Sequence, residues 1–153
     1  GLIKVGEQPV VIEYNCRMGD PETEVVMPRL QTDLVELFLH MHHQTLDTVT
    51  IAMNEGAFAT VVAVSGGYPG NYPKGLPITF NEVALRDMPT TTVYHAGTTL
   101  QEQQVVTNGG RVLAVTSSAT TITDAVALSK AALRQIDFAG MNYRNDIGYE
   151  FAS

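Results

Sequence analysis

From Ala57 onward the sequence is cut into short apolar runs by glycine pairs and a proline–glycine step, and this punctuation limits the fold more than any other feature. Four runs read as strands: Ala59 to Ser65, Thr91 to His95, Gln104 to Thr107 and Arg111 to Ser117. The Gly-Gly, Pro-Gly and Asn-Gly-Gly steps between them have the turn chemistry of hairpins. One long helix, Thr123 to Ile136, would set Ala125, Leu128, Ala132 and Ile136 on a single face. The expected unit is α+β, a small, curved antiparallel sheet with that helix packed against it.

Residues 1 to 55 have a different texture. Leu2 to Val5, the turn-like Gly6-Glu7-Gln8-Pro9 and Val10 to Met18 spell a β-hairpin. Gly19-Asp20-Pro21 breaks the second strand, and a helical stretch follows. In it Asp33 and Glu36 have capping-box spacing, and Leu30, Leu34, Leu37, Phe38 and Met41 form an apolar stripe. The stretch runs out in His40-Met41-His42-His43. A second short helix is expected over Thr45 to Glu55, and a short aromatic strand over Ile147 to Phe151 in the tail. The change of texture predicts a domain boundary near residue 55, separating 1–55 from 56–153. The opening Gly1-Leu2-Ile3-Lys4-Val5 lacks an initiator Met and a signal-peptide pattern, and reads as a fragment entering a strand already under way.

Composition narrows the class. At 153 residues, 44% apolar and 16% charged, the chain suits a folded protein rather than a disordered one. A net charge of −7, with nine scattered Lys and Arg, lacks the basic footprint that nucleic acid requires. A lone cysteine, Cys16, excludes an internal disulfide framework and fits a reducing compartment. Apolar runs fall well short of a membrane span.

The second hairpin strand carries the chemistry. Val10, Ile12, Tyr14, Cys16 and Met18 alternate with Val11, Glu13, Asn15 and Arg17, so three polar groups line one face. A carboxylate and an amide oxygen two residues apart can reach one hard cation, and magnesium takes such oxygens together with phosphates and water. Arg17 offers a planar fork to an anionic oxygen. By spacing alone a solvated strand face is the stronger reading, and the whole string is what lifts the metal reading above it. Cys16 and Met18 sit on the apolar side, and Cys16 reads as core rather than nucleophile.

The whole string EYNCRMGDPETEVVMPRL, residues 13 to 30, resembles the end of the ATP-grasp module in the phosphoribosylamine–glycine ligase family, also called glycinamide ribonucleotide synthetases. SGGYPGNYPKG (65 to 75), VYHAGT (93 to 98), GGRVLAVT (109 to 116) and FAGMNYRNDIG (138 to 148) resemble that family's C-terminal domain, in family order. The resemblance implies that residues 1–55 close an ATP-grasp domain. Residues 56–153 would then form a domain similar to a rudimentary single-hybrid or barrel-sandwich unit. It implies Glu13 and Asn15 as ligands of Mg2+ (or Mn2+) on ATP, and Arg17 and Asp20 as catalytic contributors on the reacting-substrate side. The implied activity joins glycine to 5-phosphoribosylamine through a glycyl phosphate, in purine biosynthesis in the cytoplasm. A homodimer is left open, and no nucleic-acid or membrane partner is expected. Adenine-binding and phosphate-loop segments lie upstream in such ligases, so this part alone is not expected to turn over. Two alternatives stand beside this reading: another ATP-grasp carboxylate–amine ligase, and a non-catalytic binding or dimerisation module.

Other candidates carry less. The Ser65 to Gly75 loop reads as a tight turn, or as a loop over the cleft that brings Lys74 near a phosphate. His40, His42 and His43 suit a helix C-terminus better than a metal site. His95 reads as a structural histidine in a strand, and Arg144 and Asp146 as partners in surface or interdomain ion pairs.

Overall fold

The expected hairpin forms: β1 (Leu2–Val5) pairs antiparallel with β2 (Gln8–Val11), Leu2 opposite Val11 and Val5 opposite Gln8. The computed structural model describes residues 1–151. In it the second strand is shorter than its alternation predicts. The Ile12 and Glu13 amides still donate to the Gly1 carbonyl, at 2.8 and 3.4 Å, and there the partner strand is used up. Residues 14 to 18 have no strand beside them, so the strand expected to reach Met18 ends at Val11.

The helical stretch after Pro21 is two helices, α1 (Thr23–Arg29) and α2 (Leu34–His43). Asp33 caps α2 as its spacing predicts, accepting from the Val35 and Glu36 amides at 2.7 and 3.3 Å. The apolar stripe is only partly covered. Leu37 is buried, Phe38 and Met41 are exposed, and Leu30 lies between the helices in a bridge to Met53. The helix expected over Thr45 to Glu55 shrinks to one 3-10 turn, Leu46–Thr48. The β-branched run Thr48-Val49-Thr50-Ile51 explains this, since each such side chain is restricted at χ1 in a helix.

Then come β3 (Ala57–Val64), β4 (Thr79–Phe80), α3 (Glu82–Arg86), β5 (Thr91–His95) and β6 (Thr98–Gln101). They are followed by β7 (Gln104–Thr107), β8 (Arg111–Ala119), α4 (Ile122–Leu133) and β9 (Ile136–Asp137). The result is α+β with small antiparallel sheets. β8 is the middle strand of a sheet ordered β3-β8-β5, β6 pairs with β7, and β4 pairs with β9. The four strands expected here are all present. Helix α4 is shorter than expected: it stops at Leu133, and Ile136 leaves it to pair with Phe80 in β9. The strand expected over Ile147 to Phe151 is instead a 3-10 turn, Tyr149–Phe151.

Alternation assigns the two faces of the main sheet. Ala59, Val61 and Ala63 lie opposite Ser117, Val115 and Leu113 and share one face. Helix α4 covers that face: Ala125 and Val126 meet Ala59, while Ala132 and Leu133 join Val61, Ala63, Leu113 and Val115. Ser129, a polar residue on the buried side of the helix, donates its hydroxyl to the Ala59 carbonyl at 3.0 Å. Phe58 and Thr116 belong to the opposite face, against which α1 packs.

One irregularity matters. Ala63 pairs with Leu113 but Val64 pairs with Arg111, so β8 carries an extra residue at Val112. This bulge shifts the phase of the strand, and Arg111 shares the face of its partner Val64 rather than that of Leu113. A charged side chain is thereby aimed away from the core and toward the α1 side.

Candidate functional site

Past Glu13 the chain runs without a strand partner among the described residues, and the expected metal ligands Glu13 and Asn15 sit at the start of this exposed stretch. They are side by side: the Asn15 amide nitrogen donates to Glu13 Oε1 at 3.2 Å. Rotation of the amide would turn its oxygen to the same side as the carboxylate. Among the described residues no group of three or more His, Cys, Asp and Glu gathers to cage a metal. Two neighbouring oxygens fit a different site, one where a hard cation arrives with phosphates that complete its shell. Arg17 is not drawn into this pair, because its guanidinium donates to the Met18 carbonyl at 2.9 Å. Cys16, expected in a core, is exposed, since the strand that would have sorted its side chain inward does not form.

Asp20 is tied to the sheet. Arg111 Nη2 lies 2.8 Å from Asp20 Oδ2, and Nη1 reaches the Asp20 carbonyl at 3.4 Å. This pair borders a cleft of about 510 Å³ lined also by Glu24, Tyr68, His95 and Gly97. Segments far apart in sequence converge here: the Gly19-Asp20-Pro21 turn, the Ser65 loop, the turn after β5 and the turn before β8. The last two touch backbone to backbone. The Gly97 amide donates to the Arg111 carbonyl at 2.8 Å, and the Gly97 carbonyl accepts from Asn108 and Gly109 at 2.8 and 3.0 Å. A Cβ on Gly97 would lie 2.7 Å from Gly109 Cα, so glycine is required by close approach.

A second tie lies four residues on. Pro28 sits in the last turn of α1 and has no N–H to offer the Glu24 carbonyl. Thr116 of β8 supplies the missing donor, its hydroxyl bonding the Glu24 carbonyl at 2.9 Å. Two buried atoms on this helix, Glu24 Oε2 and Arg29 Nε, have no hydrogen-bond partner among the described residues, while the Arg29 guanidinium lies 6.0 Å from the Phe58 ring centre.

The remaining candidates separate. Lys74 is exposed and does not line the cleft. His40 Nδ1 is 2.9 Å from the Thr45 hydroxyl, and the His42 and His43 rings meet edge-on at 5.1 Å. His95 borders the cleft and is held by the Thr98 hydroxyl at 3.0 Å. Arg144 and Asp146 form a two-bond surface pair, 2.9 Å in each arm. The hydrogen bonds from Arg144 hold the Asp146 carboxyl below its ordinary pKa, and the same contact raises that of Arg144. Sequence reasoning assigned no role to Arg111, Thr116 or Glu24. The signal available was an arginine directly after Gly109-Gly110 at the head of an apolar strand.

Residues 58–150 match the family described as Phosphoribosylglycinamide synthetase, C domain. A phosphoribosylamine–glycine ligase of Nostoc sp. is 49% identical over 145 residues, covering 94% of this chain and 34% of the relative. The bifunctional purine biosynthetic protein of Schizosaccharomyces pombe is 44% identical over 149 residues, covering 97% and 18%. The crystal structure of phosphoribosylamine–glycine ligase from Thermotoga maritima superposes with a TM-score of 0.73 at 30% identity, covering 95% of this chain and 35% of that one. The chain thus spans about a third of the length of the two ligases and less of the bifunctional protein.

Proposed function

Because the chain belongs to the phosphoribosylglycinamide synthetase C-domain family, we propose that it works as the C-terminal part of an ATP-dependent phosphoribosylamine–glycine ligase. The observation that carries the reading is the meeting of Glu13 and Asn15, two residues before Arg17 and a short step before the anchored Asp20. In the reaction, the glycine carboxylate takes a phosphoryl group from ATP. The amine of 5-phosphoribosylamine then displaces phosphate from the glycyl phosphate, giving glycinamide ribonucleotide. Glu13 and Asn15 would hold Mg2+ (or Mn2+), which supplies charge neutralisation for the transferring phosphoryl group. Arg17, bonded among the described residues only to a neighbouring carbonyl, can turn its fork toward an anionic oxygen. Asp20 would face the reacting substrates from the cleft. Such a step needs no covalent nucleophile, so the contribution of these residues is position and charge.

Residues 1–55 would close the ATP-grasp domain and 56–153 form the C-terminal domain. The family match beginning at residue 58 supports that division, as does a core in which Leu37 is the only buried apolar residue before Ala59. Glycine, 5-phosphoribosylamine, ATP and the preceding part of the longer protein are the proposed partners. The cytoplasm is the proposed compartment, and self-association as a homodimer is compatible with the exposed apolar residues of β1 and β2. No described helix is long and apolar enough to cross a membrane.

The test uses the full-length protein. Glu13→Gln and Asn15→Ala should each lower glycine- and phosphoribosylamine-dependent ADP release by about 10²- to 10³-fold, the scale of losing one preorganised electrostatic group. Turnover indifferent to both changes would leave a binding module as the better account.

A further inference from the structure

Within this chain the stretch that carries Glu13, Asn15 and Arg17 is joined to the C-terminal sheet through Asp20. Among the described residues, residues 12 to 22 make one set of hydrogen bonds to anything beyond residue 26, and Arg111 provides it through Asp20. Arg111 grips both the side chain and the backbone carbonyl of Asp20, which restrains a turn rather than a single rotamer. The pair is half-exposed, 40% and 57% accessible, so its role as a stabiliser of the fold is small. Its aim is nonetheless built into the sheet, because the extra residue at Val112 turns Arg111 out of the core face and onto the face occupied by α1. The Thr116 hydroxyl, from the same strand and the same face, holds the Glu24 carbonyl that Pro28 leaves without a donor. Strand β8 therefore fixes the Asp20 turn and the helix after it at two points.

We propose that Arg111 is a positioning residue: through Asp20 it sets where Glu13, Asn15 and Arg17 stand relative to the cleft. The C-terminal sheet thereby determines the alignment of the phosphoryl-transfer segment. This rests on the ligase reading of Glu13 and Asn15.

The experiment again uses the full-length protein. Arg111→Gln should lower kcat about ten- to a hundredfold, the effect of a misplacement of about 1 Å. The thermal midpoint should stay near that of the parent. The Mn2+ concentration needed for half-maximal nucleotide-dependent metal binding, read by electron paramagnetic resonance, should rise. Arg111→Lys keeps the charge without the fork and should recover part of the rate, and it carries the test if the Gln variant does not fold. Asp20→Asn combined with Arg111→Gln should be no slower than the slower single variant, because both remove one link. Parent-like kcat and metal binding in Arg111→Gln, beside a Glu13→Gln variant that has lost activity, would overturn the inference while leaving the ligase reading intact. Independent, multiplying effects of Asp20→Asn and Arg111→Gln would overturn it too. Full activity in Glu13→Gln would instead bring down the ligase reading, and the inference with it.

Discussion

At Gly97 the backbone of one turn lies directly on that of another, and the constraint is steric rather than conformational. A Cβ there would press on the Arg111 carbonyl and lie 2.7 Å from Gly109 Cα and 3.0 Å from its nitrogen, all main-chain atoms that no rotamer change can move aside. Gly97→Ala should therefore destabilise the chain by about 1–3 kcal/mol, as overpacking does, measured by urea denaturation. Single residues were also where the sequence was most and least informative. Glu13 and Asn15 were legible as a pair because they are two apart, and the structure brings their side chains together. Asp20 was legible as a candidate but its partner was not, because Arg111 is 91 positions away. No local pattern encodes such a contact. Cys16 is exposed in this chain for a related reason: alternation sorts faces only where a neighbouring strand exists, and β2 ends before it.

Among the elements, strands bounded by glycine turns were read well. β5 and β7 have the predicted limits, and β3 and β8 differ by a few residues. Elements decided by pairing across the molecule were not. β4 and β9, two residues each, exist because Phe80 and Ile136 meet, and that meeting also takes Ile136 out of the expected helix. The buried side of α4 includes Ser129, which periodicity of apolar residues passes over because its place is secured by a hydrogen bond. The bulge at Val112 is likewise a property of two strands rather than one. Helix α1 depends on its neighbour in a measurable way. Thr116→Val keeps the shape of the side chain but leaves the Glu24 carbonyl without a donor, at a cost of about 1–3 kcal/mol in thermal or urea unfolding. Pro28→Ala in the same background would restore an N–H to that carbonyl and recover part of the loss.

For the molecule as a whole, cohesion is uneven. Among the described residues the fully buried members of the core clusters run from Ala59 to Phe138, while β1, β2 and α2 expose Leu2, Val5, Val11, Phe38 and Met41. Hydrogen exchange on this chain should show slow amides in β3, β8 and α4 and rapid exchange over residues 1–55. In the full-length protein the early segment should slow markedly, and equal rates in the two forms would mean that nothing covers those apolar side chains. The glycine contact on the cleft wall adds a consequence for motion. Three main-chain hydrogen bonds join the turn at Gly97 to the turn at Arg111, and their backbones lie too close for one to slide over the other. That wall travels as a single stiff piece with the sheet. Any widening of the cleft would then have to come from the other bank, the Gly19 to Glu22 turn, and would have to break the Asp20–Arg111 pair.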